Sequence, residues 1–386
     1  MLEILLFALA LLGHAVLLMY FLNVIYSQPY HKRLLKIVRL VAALAIFGLP
    51  VVYACLVGFR VTPVLVDAMS RGKQPLLAIY LGIALVMAWL VLPLATIRRW
   101  LRRVPDLVTS ATTTIDIAKE LGRPPIGDGK TAPIARLPFN DIFRVDFTTL
   151  NIELGNLPPA WDGLTILHLS DLHFYGTPSR EYYDAVIRRC LADGTPDLLL
   201  ITGDIVDKRP YIAWIEEILA PLRWNVAAFA IMGNHDWWQD FEAVRTSFRN
   251  LNMHVVGNRW EQIDVRGQPL TVIGHEGPWF RPAPDLSDCP PAGFRLLLSH
   301  SPDNIGWAKR HNVSLMLSGH NHGGQIRVPI FGSIFVPSKF SRRYDEGTFF
   351  EPPTLLHVNR GLSGKEPLRF RCNPQVTRIV LKRPGN

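Results

Sequence analysis

Three apolar stretches in the first hundred residues constrain this chain more than any other feature. They run from about Ile4 to Tyr26, from Leu40 to Phe59 and from Pro75 to Ile97. A helix needs about 20 apolar residues to cross a bilayer, and in lipid a helix satisfies its own backbone. Each stretch is therefore expected to be a membrane-spanning helix. A cleaved signal peptide fits the first stretch poorly, because the extreme N-terminus carries Glu3 and no Lys or Arg, and the run is too long.

The charge distribution sharpens this. The net charge is +9, and all of that excess lies before Val104, where 11 basic residues face 2 acids. The rest of the chain holds 30 residues of each sign. A balanced C-terminal part argues against nucleic acid as the partner, since that would favour a basic globular surface. The first connector carries Lys32, Arg33, Lys36 and Arg39, and RRWLRR (98–103) follows the third stretch. Basic residues accumulate on the cytoplasmic side. The expected topology thus has the N-terminus outside and the C-terminal domain in the cytoplasm, in a multi-pass protein of the bacterial inner membrane. Cys55, Cys190, Cys289 and Cys372 show no pairing rhythm, which suits a reducing compartment.

The expected organisation is a membrane region over 1–103, a linker over 104–142 rich in Thr, Gly and Pro, with packing of that segment on the domain as the alternative, and a globular domain over 143–386. In the domain, LTILHLSDLH, DLLLITGD and AAFAIMGNHD read as buried strands, separated by the helical patterns EYYDAVIRRCLADG and YIAWIEEILAPL. Strand-then-helix alternation predicts an α/β layered domain. Later runs such as FRLLLSH and SLMLSGHNH have fewer helices between them and predict a second, mixed sheet.

Five apolar runs stop at residues of metal-binding type. The stops are Asp171 with His173, Asp204, Asn234, His300, and His320 with His322. Ligand sites in α/β sheets gather outside the carboxyl ends of strands, so these seven groups are expected to meet. Taken singly, an Asp after a strand is a cap or turn former and GNHD is a turn. The set points to a shared site. Two carboxylates, four imidazoles and one amide oxygen, with no thiolate, suit Mn, Fe or Zn. Seven donors exceed what one zinc-like ion takes, so two divalent ions are expected.

The ordered blocks Asp171-x-His173, Gly203-Asp204-x-x-Asp207, Gly233-Asn-His-Asp236, Ser299-His300 and Gly319-His-Asn-His322 resemble the calcineurin-like metallophosphoesterase superfamily. The resemblance covers about Leu164 to Leu381. HGGQIRVPIFGSIFVPSKF and VNRGLSG look like its membrane-anchored YkuE-like branch, which includes some UDP-2,3-diacylglucosamine hydrolases. The GLSG spacing and CNPQV depart from that branch. The resemblance implies a four-layer α-β-β-α sandwich. It also implies one ion held by Asp171, His173 and His322, a second held by Asn234, His300 and His320, and Asp204 bridging both.

In that scheme His235 is free to protonate a leaving oxygen or hold the phosphate. Asp236 either orients His235 or caps the following helix, and Asp207 is expected as a turn or cap residue. Trp237, Trp238 and His168 are expected in packing, and His275 follows a β-like run within reach of the pocket. Arg327 and Arg360 are expected in surface ion pairs, and His14 and Asn23 in interhelical hydrogen bonds. The implied activity is hydrolysis of a phosphodiester or pyrophosphate bond, with proximity to the bilayer favouring a lipid-linked substrate such as UDP-2,3-diacylglucosamine. The alternatives are an anchored phosphodiesterase for soluble nucleotides and a non-catalytic membrane sensor or scaffold.

Overall fold

The computed structural model describes residues 1–384. It divides into two compact units, one of residues 1–103 with 329–343 and one of residues 104–328 with 344–386.

The first unit is helical. Helices α1 (Leu2–Tyr26) and α2 (Lys32–Val57) are followed by the short α3 (Thr62–Arg71). Then α4 (Pro75–Val86) continues through a π-helical turn into α5 (Leu92–Trp100). Three helices, Leu2–Tyr26, Lys32–Val57 and Pro75–Trp100, are long and apolar enough to cross a membrane. Close packing of α1 against α4 depends on Gly13, where an added Cβ would lie 1.7 Å from the carbonyl oxygen of Ala84. His14 ties helices together as expected, meeting the Tyr80 hydroxyl through Nδ1 and the Ala45 carbonyl through Nε2 at 3.0 Å.

The second unit holds two sheets. Strands β1 (Val108–Asp116), β2 (Arg144–Glu153), β3 (Thr165–Leu169), β4 (Leu198–Ile201), β5 (Ala227–Ala230) and β6 (His254–Val255) come first in the chain. Next are β7 (Trp260–Val265), β8 (Gln268–His275), β9 (Arg295–Ser299) and β10 (Leu315–Ser318). The short β11 (Arg327–Val328), and β12 (Gly332–Ser333) in the segment grouped with the helical unit, precede β13 (Gly347–Glu351), β14 (Thr354–Val358) and β15 (Gln375–Lys382). One sheet has the order β1-β2-β15-β3-β4-β5-β6, the other β13-β14-β10-β9-β8-β7.

Period-two alternation along the central strands builds both cores. Ile166, Leu198, Leu200 and Phe229 face the second sheet and meet Leu270, Val272, Leu296, Leu298 and Leu315 there. Their neighbours Leu167, Leu169, Leu199, Ile201 and Ala228 face helices Arg180–Ala192, Ala213–Leu219 and Phe241–Asn250. Helix Ile305–Arg310 packs on β14 from the far side. The result is the expected α-β-β-α layering.

The expected linker is corrected. Residues 108–116 form β1, paired antiparallel with β2 from Val108 opposite Ile152 to Asp116 opposite Arg144. VTSATTTID lacks apolar alternation because it is an edge strand with most side chains exposed, yet its β-branched residues suit a pleated backbone. Thr114 Oγ1 donates to Asp146 Oδ1 at 2.6 Å, and Asp116 then caps a short helix, Ile117–Glu120, whose Ile117 is fully buried. Segment 104–142 is thus part of the sheet-bearing unit.

Candidate metal centre

The loops after β3, β4, β5, β9 and β10 converge, as parallel strands with a common polarity require. Asp171, His173, Asp204, His320 and His322 all adopt left-handed backbone, with φ of 53°, 49°, 54°, 70° and 49°. Such geometry costs roughly 1–3 kcal/mol per non-glycine residue and persists only where surroundings enforce it. Here the enforcement is visible. The Asp171 amide donates to the Gly203 carbonyl, the His173 amide donates to the Asp204 carbonyl, and the His320 amide donates to the Asp171 carboxylate, at 3.0, 3.0 and 3.1 Å. Gly319 is needed because a Cβ there would lie 2.1 Å from Asp171 Oδ2.

Two groups of donors share Asp204. On one side His173 Nε2 lies 3.2 Å from His322 Nε2, 3.6 Å from Asp204 Oδ2 and 3.9 Å from Asp171 Oδ1. On the other, His300 Nε2 lies 3.3 Å from Asp204 Oδ1 and 3.1 Å from Asn234 Oδ1, and His320 joins the group. Ligands about 2.1 Å from one ion sit about 3.4 Å apart along a tetrahedral edge, so these spacings fit donors around a common cation.

The electrostatics agree. Burial drives the His173 and His300 imidazoles down, but the carboxylates of Asp207 and Asp204 overcome it and raise each to about 9. Burial raises Asp171. For Asp204 the same burial is outweighed by His300 and His235, which hold it well below its ordinary value. The pocket thus demands positive charge, and a cation in it would replace the protons on its histidines.

Asp236 does not touch His235 in the way expected. Its buried carboxylate accepts the amides of Ile205, Val206 and Gly233 at 2.9, 3.1 and 2.9 Å, which locks the two motif loops together. The carboxylate that orients His235 is Asp207, not a simple turn residue: it contacts His235 Nδ1 through Oδ1 and His173 Nδ1 through Oδ2, the latter at 2.8 Å. The signal was the three-residue spacing from Asp204, which a bare turn reading absorbs. His235 is the most open imidazole of the group, with 15% of its side chain exposed.

The expected ion pairs form, but away from the surface, with the Arg327 and Arg360 side chains only 15% and 13% exposed. Arg327 and Arg360 both pair with Glu346, at 2.6 and 3.3 Å, and Arg360 also pairs with Asp146. Trp238 packs 5.1 Å from the His235 ring, and His275 accepts the Gly277 amide. His168 meets Thr202, whose hydroxyl donates to Ser170, which in turn donates to Asp171. Arg369 was missed: fully buried, it donates to the carbonyls of His322, Arg360 and Ser363, at 2.9, 2.8 and 2.5 Å. No sequence pattern links it to His322, 47 residues upstream.

Residues 164–324 match the family model for calcineurin-like phosphoesterases. The chain is 31% identical to an uncharacterized metallophosphoesterase, YkuE of Bacillus subtilis, over 62% of this chain and 86% of that protein. It is 30% identical to the phosphodiesterase YaeI of Escherichia coli, over 56% and 81%. It is 24% identical to the UDP-2,3-diacylglucosamine pyrophosphatase LpxG of Chlamydia trachomatis, over 59% and 87%.

Proposed function

This chain belongs to the calcineurin-like phosphoesterase family of metal-dependent phosphoester hydrolases, and on that premise we propose that it is a membrane-anchored enzyme cleaving a phosphodiester or pyrophosphate bond of a lipid-linked substrate. The observation that carries the reading is the meeting of seven donors from five strand ends, Asp204 at the centre with three on either side.

In the proposed assignment Asp171, His173 and His322 hold one divalent ion and Asn234, His300 and His320 hold the other. Asp204 would be shared between them, with its Oδ2 on the His173 side and its Oδ1 on the His300 side. The donor chemistry suits Mn, Fe or Zn. A pair of such ions supplies positive charge for the phosphoryl oxygens and acidifies the attacking water.

The chain's own residues supply the rest. Asp207 holds His235 at Nδ1, which leaves Nε2 as the atom that carries a proton to the leaving oxygen. Asp207 also holds His173 from behind, fixing the orientation of its Nε2. Asp236 keeps the Asp204 and His235 loops in register without entering the proton path.

Three apolar helices in the same chain support a substrate that resides in the bilayer. The relative named as a UDP-2,3-diacylglucosamine pyrophosphatase makes nucleotide-linked lipids the first class to test. The site is proposed to face the cytoplasm of a bacterial inner membrane.

The test is turnover of detergent-purified, Mn²⁺-loaded protein, read by mass spectrometry. The substrates are UDP-2,3-diacylglucosamine, other lipid phosphodiesters and matched soluble nucleotides. Preferential cleavage of lipid substrates, abolished by chelation, is expected. Preference for the soluble esters removes the lipid assignment and leaves an anchored nucleotide phosphodiesterase. Failure to cleave any ester with any of the three metals removes the enzymatic reading in favour of a scaffold.

A further inference from the structure

Residues 329–343, PIFGSIFVPSKFSRR, take no part in the two large sheets and hold only the two-residue strand β12. The chain leaves the sheet-bearing unit after Val328, and this segment groups with the membrane helices before the chain returns at Tyr344. At 15 residues, broken by Pro329, Gly332 and Pro337, it is too short and irregular to span a bilayer.

Its attachments lie at one level of the helical unit. Asn23, 1% exposed near the end of α1, has its amide satisfied by this segment rather than by another helix. Asn23 Oδ1 accepts the Val336 amide at 3.0 Å, and Nδ2 donates to the Ile334 carbonyl and Ser341 Oγ at 3.3 and 3.1 Å. Tyr26, the last residue of α1, packs edge-on against Phe335. At the end of α5, Trp100 Nε1 donates to the Ile330 carbonyl at 3.1 Å, and the Arg99 side chain closes on Gly332. The segment therefore bridges the C-terminal ends of the first and third spans, which share a side of the helical unit.

That level has the composition of a membrane interface. Trp100 sits in RRWLRR, and the segment adds Lys339, Arg342 and Arg343, with no acid among residues 92–104 or 329–343. Ile330, Phe331 and Ile334 are 65%, 36% and 42% exposed beside these cations, in the same stratum where Leu94 and Ile97 are 43% and 45% exposed. Apolar side chains beside a basic cluster at the end of a span fit acyl chains below and anionic headgroups above.

We propose that residues 329–343 are an interfacial anchor: Ile330, Phe331 and Ile334 enter the bilayer surface, and the flanking cations bind anionic lipid. Only residues 323–328 separate this anchor from His322, so the loop carrying His320 and His322 is covalently continuous with it. The proposal concerns the helical unit and stands whether or not the metal centre cleaves a phosphodiester.

The experiment places a photoreactive benzophenone amino acid at Phe331 or Ile334 of the full-length protein. The protein is reconstituted in nanodiscs of phosphatidylcholine, with or without phosphatidylglycerol. Leu44, 64% exposed within α2, serves as the lipid-facing control, and the exposed Asp285 as the aqueous one. Illumination and mass spectrometry count lipid adducts. Adducts at 331 and 334 several-fold above those at 285, enriched in phosphatidylglycerol, are expected. Yields at the level of 285 overturn the anchor, and adducts without headgroup preference overturn its anionic selectivity. Because the readout is cross-linking, loss of catalysis in a variant does not affect it.

Discussion

His235 and its partner set the chemistry at the scale of single residues. A general acid matters most when the leaving group is a poor one, so His235→Ala is expected to slow cleavage of alkyl phosphodiesters by about 10²–10⁴-fold. The loss on bis-p-nitrophenyl phosphate, whose leaving group needs little help, is expected to be smaller. Asp207→Asn shares that leaving-group dependence, because Asp207 orients His235, and it also weakens metal binding by about 10–100-fold, because the same carboxylate supports His173. Asp236→Asn is expected to behave differently. Burial and the neighbouring Asp204 push the Asp236 carboxyl up to about 7, and its role is to accept three amides. That variant loses thermal stability, with no dependence of its kinetic defect on the leaving group. Rates on the two ester classes, with metal content measured in parallel, check all three; equal losses on both classes for His235→Ala would remove its assignment as the acid.

At the scale of elements, β3 and β14 place two histidines between the sheets, behind the metal site. His357 lies between the hydroxyls of Thr348 and Thr377, and its ring packs 5.9 Å from that of His168. Burial, aided by the Arg360 charge, lowers His357 to about 4; burial also holds His168 well below its ordinary value. Both are neutral in the folded protein at pH 6, while the unfolded chain takes up protons below about 6.5. The folded pKa is depressed, so this contribution to stability is intact above pH 6.5 and is lost as pH falls toward 4. For His357 the full loss is about 3 kcal/mol. His357→Gln is expected to lower the melting temperature at pH 7 but to flatten its fall between pH 6.5 and 4.5. A fall as steep as in the wild-type protein would show that other groups carry the acid sensitivity. His168 connects through Thr202 and Ser170 to Asp171, so acid loosening of this layer reaches the candidate metal centre.

At the scale of the whole molecule, the charge is divided unevenly: the helical unit holds 14 basic residues against 2 acids, a net +12, and the sheet-bearing unit 27 against 30, a net −3. Within the helical unit the ends of the first and third spans share a side, as an odd number of crossings between the N-terminus and the domain requires. RRWLRR at that side is what the basic-residue rule expects of the proposed orientation, with the domain in the cytoplasm. A C-terminal fusion to a reporter that works only in the cytoplasm is expected to be active, and a periplasm-dependent reporter silent. The reverse pattern would overturn the orientation and place the phosphoesterase outside the inner membrane.

The sequence alone determined the membrane helices, the layered α/β domain and the seven donors, because each depends on local pattern: apolar length, strand period, and a ligand type where a strand stops. Tertiary structure alone decided which carboxylate serves His235, because Asp236 adjoins it in sequence and Asp207 lies 28 residues away, yet it is the Asp207 oxygens that point at the imidazole. It also decided that 108–116 is a strand, since an edge position excuses a strand from apolar alternation. Arg369 and the 329–343 segment belong to the same class. Their roles rest on contacts between residues tens to hundreds of positions apart, and no local pattern encodes such a meeting.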